Sequence, residues 1–175
     1  MHHFKNLIHT GTTFTLKAFD ETHAKILKEL QVTGSSSALR NLQMIEFQKA
    51  IMTIGMFSLF ESILQQELNC ANGFRKAKEL LKKTGDYDLL DRFNTYYFAI
   101  NVLKHGKGLS YDKLLAKSDQ LPFEIKSENQ SFFNEGDVDE VATYIKVDNA
   151  FVLNCSDLIQ QVANSIIIAN DSVKE

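Results

Sequence analysis

The residues of this sequence best suited to chemistry lie between positions 94 and 107. Four polar residues recur there at helical spacing: Asn94, Tyr97, Asn101 and His105. At 100° per residue their side chains fall within about 80° of one another on a helix. Asn101 and His105 are one turn apart and are therefore neighbours. Because the imidazole of histidine titrates near neutral pH, this pair is suited to proton transfer.

The surroundings of His105 indicate an anionic ligand. Lys104 and Lys107 flank the histidine, and the two glycines that follow it allow a ligand to approach the backbone closely. This end of the helix is therefore a candidate phosphate or RNA contact, formed by His105 and Asn101 with the polar residues around them: Lys104, Lys107, Tyr97 and Asn94. The alternative is a structural role, in which Asn101 and His105 form hydrogen bonds across a helical bundle or cap the helix end.

A second group of positive charges lies in a short basic helix before this stretch: Arg75, Lys76, Lys78, Lys82 and Lys83. The simplest interpretation of this run is a solvated helix face. If it lies beside His105, it would instead contact an RNA backbone. The whole chain carries a formal charge of -3, so RNA binding would need such a local patch.

Apolar residues spaced three and four apart predict the elements that position these residues. The predicted helices cover about 16–30, 38–68, 73–83, 86–105 and 148–167, with one or two further turns at 111–117. The helix over 38–68 is apolar almost all round in its middle and should lie at the centre. We interpret residues 1–14 as an N-terminal arm or short strand, and residues around 119–147 as an irregular or small β excursion.

These elements predict a mainly α protein, an antiparallel bundle of four or five helices. Its 175 residues correspond to a single domain, 1–175, with a core over 15–170. The N-terminus lacks the pattern of a signal peptide, and the apolar runs are too short or too interrupted to span a bilayer. We therefore expect a cytoplasmic protein that does not insert into a membrane.

The sequence offers no pattern for a metal or a cofactor. Cys70 and Cys155 are far apart and lack the spacing of a zinc site, which favours buried free thiols. Phosphate-binding glycine motifs and the serine-hydrolase motif are also absent from the sequence. We expect neither a metal nor a cofactor.

The segment Ala99-Ile100-Asn101-Val102-Leu103-Lys104-His105-Gly106 resembles the Arg-Asn-x-x-x-His motif of the HEPN superfamily. Members are small helical bundles, commonly homodimers, from prokaryotic toxin–antitoxin and phage-defence systems. The resemblance implies a metal-independent endoribonuclease with its site across a dimer cleft. His105 would act as general acid or base at the ribose 2′-hydroxyl and the leaving oxygen, and Asn101 would orient it.

The sequence departs from this motif at one position, because Ile100 stands where the family has arginine. Lys104 or Lys107 could supply the charge but not the two-pronged guanidinium geometry. Loss of such a group typically costs orders of magnitude in rate. Two hypotheses follow: an RNA-directed domain, either a slow ribonuclease or an RNA binder, and a non-catalytic protein-interaction module that binds an antitoxin or another protein of such a system.

Overall fold

The computed structural model describes residues 1–33, 36–132 and 143–171, and this part of the chain is mainly α-helical. It contains the helices α1 (His2–Thr33), α2 (Ser36–Glu67), α3 (Gly73–Thr84), α4 (Tyr87–His105), α5 (Leu109–Leu115) and α6 (Asn149–Asp171). A single 3-10 turn, Ser118–Gln120, follows α5. The predicted mainly α class is confirmed, with five longer helices and the short α5 forming a bundle.

The prediction of an arm or strand at residues 1–14 is wrong, because this segment is the first part of α1. Phe4, Ile8, Thr12 and Leu16 lie one turn apart and face the other helices. Thr12 is buried, and its hydroxyl donates a hydrogen bond to Sδ of Met56 at 3.1 Å. The polar residue Thr12 therefore forms part of the buried face of α1. Because it interrupts the spacing of apolar residues, this threonine-rich segment does not show the pattern that predicts a helix.

Helices α1 and α2 are antiparallel. Thr12, early in α1, meets Met56, late in α2, whereas Ile26 near the end of α1 packs in one cluster with Ala38 and Ile45 near the start of α2. This small cluster is separate from the main core. The pair thus forms a long helical hairpin, and both of its helices also pack against α6.

Helix α6 lies at the centre of the bundle, in contact with α1, α2, α3 and α4. Asp148 caps its start, since the carboxylate accepts a hydrogen bond from the N–H of Phe151 at 2.8 Å. The segment Asn149–Ala169 is long and apolar enough to cross a membrane, and half of its most apolar window is buried within the bundle. Its central position explains the apolar composition.

Phenylalanines fix α2, α3 and α4 relative to one another. The rings of Phe74 in α3 and Phe93 in α4 meet edge to face at 5.4 Å, and Phe60 of α2 contacts both. Gly73 lets the first turn of α3 approach α2, since a Cβ at this position would lie 2.6 Å from the carbonyl oxygen of Glu61. The core therefore holds α3 close against α2 and α4.

In the described part of the expected β excursion, one antiparallel β-bridge joins Ile125 and Ile145. Residues 133–142, which fall within the predicted excursion, lie outside the described part of the chain. The hydroxyl of Tyr111 donates a hydrogen bond to the carbonyl oxygen of Lys126 at 3.1 Å. This bond joins α5 to the excursion.

Candidate functional site

Helix α4 carries the polar row predicted from the sequence and ends at His105. The other side of the helix is buried in the core: Phe93, Tyr96, Ala99, Ile100 and Val102. Gly106 adopts φ 71°, and its N–H donates to the carbonyl oxygen of Val102 at 2.8 Å. This conformation favours glycine and stops the helix directly after the histidine.

The last turn of α4 is open to solvent. His105 and Lys104 are exposed, and Asn101 is half-buried. Among the residues that the structure describes, none of these three side chains forms a hydrogen bond or an ion pair. The alternative interpretation, in which Asn101 and His105 bond across the bundle, therefore finds no partner within this part of the chain.

Ile100 points into the core and is only 4% exposed. The position that carries the motif arginine in the HEPN superfamily is thus turned away from His105 in this chain. Arg92 of the same helix donates a hydrogen bond to the Gln161 side chain of α6 at 3.0 Å. Neither position offers a guanidinium to a ligand at His105.

Lys107 is directed toward the excursion, away from the end of α4. Its ammonium forms an ion pair with Glu128 and lies 5.5 Å from the centre of the Tyr144 ring. The hydrogen bond that this ammonium donates to the Glu128 carboxylate raises the pKa of Lys107. Of the two lysines expected to contact RNA, only Lys104 is unpaired in the described residues.

The middle of the polar row contacts α3. Tyr97 packs edge to face against Phe74 at 5.7 Å, and the ammonium of Lys78 lies 3.7 Å from the centre of the Tyr97 ring. Lys78 is half-buried, and desolvation together with the charge of Lys113 lowers the pKa of Lys78 to about 8. Lys78 is one member of the basic run that sequence analysis assigned to a solvated face or an RNA contact.

A second lysine stands on the other side of the row. The ammonium of Lys113, in α5, lies 4.9 Å from the centre of the Phe98 ring. Tyr97 and Phe98 point about 100° apart on α4, and the directions of Asn94 and Asn101 fall between them. We call this arrangement the lysine-flanked row; its members are Lys78, Asn94, Tyr97, Phe98, Asn101 and Lys113.

Sequence reasoning missed the roles of Lys78 and Lys113. A signal existed for Lys78, because it follows Phe74 by one turn and thus borders the buried face of α3. Lys113 carries no comparable signal, since its contact with Phe98 depends on how α5 folds back after the glycines at 106 and 108. The lysine-flanked row is therefore a product of tertiary packing.

Metal-ligating and thiol chemistry find no support in the described ranges. No three His, Cys, Asp or Glu side chains converge there on one point. Cys155 is fully buried, and desolvation raises the pKa of its thiol, which disfavours a reactive thiolate. What the arrangement offers is an exposed imidazole for proton transfer and ammonium and amide donors for an anion.

Comparisons with known proteins do not place the chain in a family. Family models, curated proteins and solved structures all give no match. The resemblance to the HEPN superfamily therefore depends on the motif over residues 99–106 and on the helical bundle that carries it.

Proposed function

We propose that this chain is an RNA-directed, HEPN-like domain of a prokaryotic toxin–antitoxin or phage-defence system, acting in the cytoplasm as a homodimer. One observation carries the proposal. His105 is exposed and unpaired in the described chain, one turn from Asn101 and at the end of a row of amides flanked by lysines. Donors of this kind suit the phosphates of RNA, and the imidazole suits its 2′-hydroxyl.

The proposed chemistry is transfer of a phosphoryl group within the RNA strand. His105 removes the proton of a ribose 2′-hydroxyl, whose oxygen attacks the adjacent phosphorus while the bond to the 5′-oxygen breaks. The leaving oxygen takes up a proton, from the histidine of the second subunit or from water, and a 2′,3′-cyclic phosphate remains. Asn101 orients the imidazole, and Lys104 supplies charge in place of the arginine. Because Lys104 lacks the guanidinium fork, we expect slow cleavage.

The test is cleavage of a mixed RNA pool by the purified chain in EDTA, with a filter-binding assay on the same pool. We expect cleavage by the wild type, loss of at least about 100-fold in His105→Ala, and no change in His3→Ala. His3 is an exposed histidine of α1 and so a matched control. Equal thermal melting of all three proteins shows that the fold is kept.

The outcomes separate the parts of the proposal. Binding without cleavage would show an RNA-binding domain whose catalysis is lost with the arginine. If the folded wild type neither binds nor cleaves RNA, the proposal is contradicted. Equal cleavage by wild type and His105→Ala would assign the activity to a contaminant or to another site.

A second candidate function is a non-catalytic protein-interaction module, and the outer face of α2 favours it. Met44, Phe47 and Ile51 lie on one side of that helix and are 60%, 49% and 47% exposed. Residues 50–60 of the same helix carry no charge. An exposed apolar face of this kind is typical of a surface that binds another protein. An antitoxin or another protein of the system would fit it, and a wild type that fails to bind RNA would favour this function.

A further inference from the structure

Lys78 and Lys113 lie against aromatic rings of α4 and have no carboxylate partner among the described residues. Among the described residues, four lysines pair with an acidic side chain: Lys49, Lys76, Lys107 and Lys146. Lys78 instead contacts the rings of Tyr97 and Phe93, and Lys113 contacts the ring of Phe98. In this part of the chain, no acidic group offsets either charge.

Two ammonium groups placed in this way repel each other. The rings that the two lysines contact, Tyr97 and Phe98, have centres 5.9 Å apart. The charge of Lys113 therefore opposes that of Lys78, which is also partly removed from water. The aromatic rings offset part of this cost, because a ring face attracts a cation by about 0.5–2 kcal/mol. A negatively charged ligand between the two lysines would remove the repulsion.

The surface of α4 between the two lysines, which includes Asn94 and Asn101, is suited to an anion with several oxygens. Asn94 and Asn101 are half-buried, and in the described residues their amide groups have no hydrogen-bond partner. Each amide can donate two hydrogen bonds, and each lysine three. A phosphate group accepts several such bonds and carries the opposite charge.

We propose that Lys78 and Lys113 bind neighbouring phosphates of single-stranded RNA, and that the amides of Asn94 and Asn101, about 10 Å apart along α4, each donate to one of them. The assignment to RNA rests on the proposed function. Tyr97 and His105 are eight residues apart, about 12 Å along the helix, so the same strand can reach the histidine. The lysines bind and position the strand, and His105 acts on it.

The test measures binding of a labelled oligouridylate and of inorganic pyrophosphate at several salt concentrations. The variants are Lys78→Gln and Lys113→Gln, each removing one charge. Lys83→Gln is the matched control, because Lys83 is exposed and lies about 140° around α3 from Lys78. Thermal melting checks the fold of each variant.

We expect Lys78→Gln and Lys113→Gln each to weaken oligouridylate binding on the order of tenfold, with Lys83→Gln unchanged within twofold. The slope of log K against log salt should fall by about 0.7 in the first two variants, as for one lost phosphate contact on a single strand. Pyrophosphate should compete with the oligonucleotide in the wild type and in Lys83→Gln, and much less in Lys78→Gln and Lys113→Gln. Equal weakening by all three substitutions would show diffuse charge attraction and overturn the site.

Two further outcomes separate this inference from the proposed function. If His105→Ala weakens RNA binding but the lysine variants do not, the phosphate site is wrong and the proposed function stands. If pyrophosphate binds through both lysines but RNA does not, the site binds free phosphate. In that case its assignment to RNA is wrong, together with the proposed function.

Discussion

The two halves of the polar row on α4 share one face of the helix and differ in their surroundings. Asn94 and Tyr97 lie in the part covered by α3, where the ring of Tyr97 contacts both Phe74 and Lys78. Asn101 and His105 lie in the part that leads to the open end of the helix, and His105 is exposed. Helical periodicity places all four on one face, but the neighbouring helices decide what each half can do.

This difference suggests that the covered half of the row binds the anion and that His105 carries out the proton transfer. Side chains in the covered half are held by aromatic packing, which suits a rigid contact to an anion. The exposed histidine keeps both ring nitrogens available within the described chain, which suits proton transfer to a bound strand. If the comparison is correct, changes in the covered half should alter stability and affinity, and changes at His105 should alter mainly the reaction.

The largest effect is expected from an arginine at position 100, where the HEPN motif that this segment resembles has one. Ile100→Arg would place a charge at a position that is 4% exposed and faces the core, and the buried residues of the described chain include no Asp or Glu. We expect a loss of at least about 3 kcal/mol in the free energy of unfolding, measured in urea, and no gain of ribonuclease activity.

Lys104→Arg is the control for Ile100→Arg, because it adds a guanidinium to the same helix at an exposed position. We expect its free energy of unfolding to stay within about 0.5 kcal/mol of the wild type. A stable Ile100→Arg protein with faster RNA cleavage would contradict the placement of residue 100 in the core.

A smaller effect is expected from Gly73→Ala, which acts on the covered half alone. The new Cβ would lie 2.6 Å from the carbonyl oxygen of Glu61 and 2.7 Å from Cβ of Leu64. Helix α3 must shift, and we expect a loss of about 1–3 kcal/mol in stability. Because α3 carries Lys78, binding of pyrophosphate should also weaken.

Gly55→Ala is the control for Gly73→Ala, since a Cβ at Gly55 would meet no atom within 4 Å. This residue lies inside α2, where alanine is favoured over glycine by about 1 kcal/mol, so the variant should be more stable than the wild type. Equal stability of the two variants would show that α3 does not pack closely against α2.

The sequence allowed most of the fold to be predicted. Apolar spacing predicted the helices that became α2, α3, α4 and α6 within a few residues, because each buries one continuous face or lies in the core. The first half of α1 was not predicted as a helix, because Thr12 occupies a buried position that an apolar residue usually fills. Its hydroxyl donates a hydrogen bond to the sulfur of Met56. A hydrogen bond between residues 44 positions apart cannot be recognised from the local spacing of apolar residues.

The site was predictable only along α4. The row from Asn94 to His105 could be derived from 100° per residue, since it lies on one helix. The ion pair of Lys107 with Glu128 joins residues 21 positions apart, and the approach of Lys78 and Lys113 joins α3, α4 and α5. Such contacts depend on how helices pack, so neither the pairing of Lys107 with Glu128 nor the lysine-flanked row could be predicted from the sequence.

The smallest predicted effect is a pH dependence of stability that comes from Lys78. The pKa of this lysine is about 8 in the folded chain, against 10.5 for an ordinary lysine. Between these values the unfolded chain binds more protons than the folded chain, so the contribution of Lys78 to stability rises with pH. Because the group is half-exposed and screened by solvent, we expect a rise of about 1 kcal/mol between pH 7 and pH 10.

Other lysines and tyrosines titrate in the same range, so the measurement is the difference in unfolding free energy between wild type and Lys78→Gln at each pH. Lys113→Gln should move the rise to higher pH, since it removes the charge that opposes Lys78. Pyrophosphate should do the same in the wild type, because an anion between the lysines favours the protonated ammonium. A difference that does not change with pH would contradict the partial burial of Lys78, the largest cause of its lowered pKa. A rise that Lys113→Gln leaves in place would contradict the close placement of the two lysines. A rise that Lys113→Gln moves but pyrophosphate does not would show that no anion binds between them.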